Sequence, residues 1–84
     1  MMALGQGELV QVSSFHLAGA PSEFLWRGRR HEVRSIERCH TDRRASALGS
    51  LEHRTYRLRT TGGLRCTLTQ DVSSNRWQME GVHP

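Results

Sequence analysis

The chain has 84 residues, and its 12 Lys+Arg outnumber 8 Asp+Glu to leave a formal charge of +4 with histidine neutral. A chain of this length buries only about 60–65% of the surface its unfolded form exposes, which allows one domain and excludes a large enzyme architecture with an enclosed substrate pocket. At 36% hydrophobic and 24% charged residues, the composition is that of a folded domain, not a disordered one.

In chain order, residues 1–7 carry no pattern and are expected to be disordered. Glu8 to Leu17 reads as a first strand with a phase shift near Ser13-Ser14, ended by Ala18-Gly19-Ala20-Pro21. Phe24 and Trp26 then share a face, Arg27-Gly28 supplies a two-residue turn, and His31 and Val33 return on the same side, which predicts a hairpin. The alternation breaks at Ser35-Ile36, and a bulge or sharp bend is expected there. Residues 39–53 show no sustained alternation and read as a surface loop. The alternative is a short helix capped by Thr41, running through Ala45, Ala47 and Leu48 to Gly49.

The second half of the chain alternates more clearly. Tyr56, Leu58 and Thr60 face one way with Arg57 and Arg59 opposite, and Leu64, Cys66 and Leu68 face one way with Arg65 and Thr67 opposite. Thr61-Gly62-Gly63 joins them as a bulged hairpin turn. Pairing Thr60 with Leu64 sets Leu58 against Cys66, Tyr56 against Leu68 and Arg59 against Arg65. A last strand, 76–82, turns Trp77, Met79 and Gly81 inward, and pairing Asp71 with Arg76 sets Leu68 against Met79. The fold class predicted is all-β: five or six short antiparallel strands in a small, partly open barrel of SH3-like or OB-like type.

The first 26 residues contain no Arg or Lys, and no apolar run approaches the roughly 20 residues that span a bilayer, so a cytoplasmic protein with no membrane partner is expected. Cys39 and Cys66 are too few for a disulfide framework, and Cys66 is phased as a core residue.

The run Phe24-x-Trp26-Arg27-Gly28-Arg29-Arg30-x-x-Val33, followed by Tyr56-Arg57-Leu58, Gly63-x-x-Cys66-x-Leu68-x-x-Asp71 and Arg76-Trp77-x-Met79, resembles a family of small uncharacterised bacterial proteins. That family is often encoded beside error-prone Y-family DNA polymerases. The resemblance covers roughly residues 21–80 and implies a shared small β fold and a setting in DNA transactions.

Charge supplies the functional reading. All twelve basic residues are arginine, and eleven lie between Arg27 and Arg65 against four carboxylates. Arg57, Arg59 and Arg65 share one outward surface, and the opposed pair Arg59 and Arg65 is unfavourable unless an anion sits between them. Weak, salt-sensitive binding of the DNA or RNA backbone is therefore expected, assisted by Arg27, Arg29, Arg30 and Arg34 and with little sequence preference. Trp26, Phe24, Tyr56 and Trp77 fall on the core phase and are not expected to stack on bases. The competing reading is an adaptor that docks on a DNA polymerase or repair protein, or pairs with a second copy as a homodimer, through a free sheet edge. Cys39, His40, His53 and Cys66 lack the spacing of a zinc site, and no nucleophile, base and orienting group recur at a catalytic spacing, so neither a metal, a cofactor nor an enzymatic activity is expected.

Overall fold

Side chains that alternate between apolar and polar make strands with one dry and one wet side, and the described residues form six strands built largely on that pattern. The computed structural model describes residues 7–47 and 49–84. Its strands are β1 (Glu8–Phe15), β2 (Pro21–Trp26), β3 (Arg29–Ser46), β4 (Gly49–Thr60), β5 (Arg65–Asp71) and β6 (Arg76–His83). Each pairs antiparallel with its neighbour in sequence, and β1 also pairs with β6 through Glu8↔Met79, Leu9↔Gln78 and Val10↔Trp77. These three pairs close the barrel that the strand pattern alone leaves partly open, and closure hides strand edges that would otherwise stay unpaired. The disorder expected over residues 1–7 lies outside the described residues except at Gly7, whose N–H donates to the Met79 carbonyl at 2.8 Å.

The two C-terminal hairpins have the register that alternation dictates. Tyr56↔Leu68, Leu58↔Cys66 and Arg59↔Arg65 pair β4 with β5, and Leu68↔Met79 and Asp71↔Arg76 pair β5 with β6. Thr60 closes the first of them. Its N–H donates to the Leu64 carbonyl at 2.8 Å, its Oγ1 accepts from the Leu64 N–H at 3.0 Å, and Gly63 takes the left-handed position at φ 90°.

At the β2–β3 turn both central residues are left-handed, Arg27 at φ 52° and Gly28 at φ 75°, the type I′ geometry whose twist suits a two-residue hairpin. Arg27 adopts this conformation with its guanidinium held by Glu8 and by the Trp26 ring. Its Nε and Nη2 donate to the two Glu8 carboxylate oxygens at 2.7 and 2.6 Å, and the guanidinium lies 4.7 Å over the Trp26 ring. The same hydrogen bonds hold the Glu8 carboxyl below the usual carboxylate range. A lowered folded value means that this contribution to stability is present at neutral pH and is lost as the pH falls through it. At Gly28 an added Cβ would meet nothing within 4 Å, so Gly28→Ala is expected to cost only the backbone strain of about 1 kcal/mol. Thermal unfolding should detect it as a fall of about 4–8 °C in Tm.

Phe24, Leu58, Leu68 and Met79 are wholly buried, with Trp26, Tyr56 and Trp77 packed around them. Cys66 belongs to the same core, and burial pushes its thiol up to about 12, which leaves it inert.

The segment 39–53, read from sequence as a loop or short helix, is neither, apart from Leu48, which lies outside the described residues. It forms the far part of β3 and the near part of β4, paired continuously from Cys39↔Tyr56 to Ser46↔Gly49. β4 pairs with β5 only from His53↔Asp71 onward, so residues 43–52 project beyond the barrel as a two-stranded arm. Among its described side chains, Arg43, Arg44, Ala45, Ser50 and Leu51 are exposed across both faces, and no burial pattern marks it as strand. Cross-strand pairing holds it instead, including Arg43 Nε donating to Glu52 at 2.6 Å.

Candidate nucleic-acid interface

Period two sends Arg57, Arg59 and Arg65 outward because Tyr56, Leu58 and Cys66 between them are buried. The structure supplies the anion that the opposed pair requires, and it belongs to the chain itself. Two register shifts in β3, between Val33 and Ser35 and between Ile36 and Arg38, insert extra residues opposite β4. The second insertion is Glu37. Its carboxylate lies 3.3 Å from Arg65 Nη2, 3.7 Å from Arg59 Nη2 and 3.9 Å from Arg57 Nε. Glu37 thus stands within reach of all three guanidiniums, and no contact is short.

These lengths matter. Arg27 and Glu8 meet at 2.6 Å in a two-point pair, whereas Arg65 reaches the Glu37 oxygens only at 3.3 and 3.4 Å. One carboxylate offers about four acceptor sites to about fifteen guanidinium donors. Most of the donor capacity of Arg57, Arg59 and Arg65 is left for a second anion, and the cluster keeps an excess of positive charge. Arg38 adds to it, since its register partner is Arg57, and Arg34 occupies the first bulge beside the Ser35↔Arg59 pair.

The remaining expected arginines do not join this cluster in one way. Arg27 is committed to Glu8 and Trp26, and Arg30 lies 3.4 Å from Glu23 on the neighbouring strand. Arg29 is exposed and forms no ion pair among the described residues. Sequence reasoning missed Glu37 and Arg38. The break at Ser35-Ile36 is the signal that pointed towards them, but it becomes specific only when the bulges are counted against β4.

The inner face of β3 and β4, from the base of the arm to the barrel, forms an open groove of about 620 Å³ lined by Cys39, Thr41, Arg43, Glu52, Arg54, Tyr56 and Ala18. Its two arginines share one carboxylate, Arg43 reaching Glu52 at 2.6 Å and Arg54 at 3.7 Å, so its excess charge is smaller than on the outer face, where three share Glu37. Burial raises the Tyr56 phenol above its ordinary range, so it stays neutral. This groove is less suited to a polyanion than the outer face.

Among the described residues, no group of three or more His, Cys, Asp or Glu is placed to hold a metal ion. No helix among them is long and apolar enough to cross a membrane. The molecule is a small closed β-barrel with an arginine cluster on the outer face of β3, β4 and β5. It belongs to the family described as a domain of unknown function (DUF6504), which matches residues 7–82. No curated protein and no solved structure matches the chain.

Proposed function

We propose that the protein is a non-enzymatic binding module that holds the sugar-phosphate backbone of DNA or RNA against the outer face of β3, β4 and β5. The observation that carries the reading is a single carboxylate, Glu37, shared at 3.3–3.9 Å among Arg57, Arg59 and Arg65. An arginine cluster held together only loosely by an internal anion is prearranged for a phosphate, which presents more acceptor oxygens and a fuller charge. Arg34 and Arg38 extend the surface along β3. The buried aromatic rings favour contact through the backbone over stacking on bases, and therefore low sequence preference. The setting in the proposal is DNA repair or translesion synthesis in the cytoplasm, as the resemblance to a polymerase-associated family implies.

Glu37 makes the reading testable in an unusual direction. If the cluster binds phosphate, Glu37 competes with the ligand, and Glu37→Gln should tighten binding to any oligonucleotide by about tenfold at low salt. The cost in stability should stay below about 1 kcal/mol, because the carboxylate is at the surface and its contacts are long. Fluorescence anisotropy and a urea melt of the same variant separate the two effects. Unchanged affinity together with a large loss of stability would show that the cluster is purely structural.

A further inference from the structure

The edge of β3 away from β4 pairs with β2 only through Arg29 to Glu32. From Val33 to Ser46 that edge has no ladder partner among the described residues. The other edge of the arm is shorter, since β5 takes β4 from His53 onward and the Val72 N–H donates to the Glu52 carbonyl at 3.0 Å. A long free edge is a template for another strand unless charge or a bulge blunts it. The bulges in β3 end at Arg38, and beyond them the strand is regular to Ser46 and exposed from Arg38 to Ala45.

We propose that this edge pairs antiparallel with the same edge of a second copy of the chain, about a two-fold axis through His40. The charges select both the occupant and the register. A symmetric antiparallel pair must place one residue opposite itself, and residues directly opposite stand about 4.5–5.5 Å apart, where like charges repel. An axis at Arg38, Asp42, Arg43 or Arg44 opposes that residue to its own copy. An axis at Thr41 opposes Arg38 to Arg44, and one at Cys39 opposes no charges of opposite sign between residues 38 and 46. Only the axis at His40 sets opposite charges against each other with no like pair: Arg38 of each copy meets Asp42 of the other, and Cys39 meets Thr41. Strand addition continues the sheet without turning it over. Arg57, Arg59 and Arg65 of both copies therefore lie on the same side of the joined sheet. The inference goes beyond nucleic-acid binding and stands without it.

Sedimentation equilibrium of the nucleic-acid-free chain, up to millimolar concentration, should show a reversible monomer–dimer equilibrium. Arg38→Asp and Asp42→Arg should each weaken the dimer by about tenfold through its two symmetry-related pairs, and the double variant carrying both should regain most of that loss. A second variant reads the register directly. Thr41→Cys places a thiol opposite Cys39 of the other copy at a separation a disulfide can span, so mild oxidation should yield a covalent dimer. The unaltered chain should give none, because its two Cys39 are only diagonal neighbours and Cys66 is buried. A chain monomeric at every concentration, a double variant as weak as the single ones, or no covalent dimer from Thr41→Cys would each overturn the proposal.

Discussion

Trp77→Ala is expected to unfold much of the chain under conditions where the unaltered protein is folded. The indole is 4% exposed, with Tyr56 at 5.6 Å and Phe15 at 6.0 Å between ring centroids, and it sits on β6 where β6 pairs with Val10 to close the barrel. Removing a buried tryptophan costs about 3–5 kcal/mol in lost transfer energy and cavity formation. Small domains lie near the low end of about 5–15 kcal/mol of total stability, so this change consumes most of the margin. Urea denaturation should place the midpoint close to zero denaturant. Leu17→Ala, at a fully exposed position, should leave it where it was. A Trp77→Ala chain as stable as the parent would show that the dry side of the sheet has been assigned to the wrong residues.

The second large effect falls on binding. Arg59→Ala with Arg65→Ala removes two neighbouring cations that face each other across β4 and β5. Each phosphate contact contributes roughly one unit to the slope of log affinity against log salt, so the pair should cost about a hundredfold at low salt. Loss should be similar for every sequence, as backbone contacts predict. Stability should change little, since deleting a cross-strand like-charge pair offsets the lost contacts to Glu37. Arg27→Ala provides the contrast. Its guanidinium is engaged by Glu8 and Trp26, so its removal should loosen the β2–β3 turn while leaving affinity nearly unchanged. An Arg59→Ala/Arg65→Ala chain with unaltered affinity would remove the nucleic-acid reading.

What could be read from sequence follows from where burial falls. Leu58, Cys66, Leu68 and Met79 lie on a wholly buried face, a one-residue slip would turn that face to water, and the registers of β4, β5 and β6 were accordingly legible. So was the β2–β3 turn, because Arg27-Gly28 separates Phe24 and Trp26 from His31 and Val33, which return on the same face. The arm was not legible, since from Arg43 to Ala45 and at Gly49 and Ser50 both of its faces meet solvent and no period two appears. A strand specified by main-chain pairing and by Arg43 to Glu52 leaves no apolar trace. Closure rests on three β1–β6 pairs between opposite ends of the chain, and no local pattern reports those.

The candidate site divides in the same way. Arg57, Arg59 and Arg65 were legible because each alternates with a core residue. Glu37 was not, because its position among them depends on two insertions in β3 summed against the pairing of Val33 with Thr60. The bulge was visible at Ser35-Ile36, but its consequence for a side chain beyond it needed the long-range partner. An arginine pair that looked open to any anion proves to have one of its own.

This arginine surface is expected to engage phosphates, and the salt dependence of binding reports it. The measurement is fluorescence anisotropy with single-stranded DNA, duplex DNA and RNA across a salt series, on the unaltered chain and on Arg59→Ala/Arg65→Ala. Affinity should fall linearly on logarithmic axes as salt rises, and the variant should flatten that slope by about two. Absence of binding at low salt, or a slope the two substitutions leave unchanged, would mean that this surface does not hold phosphate.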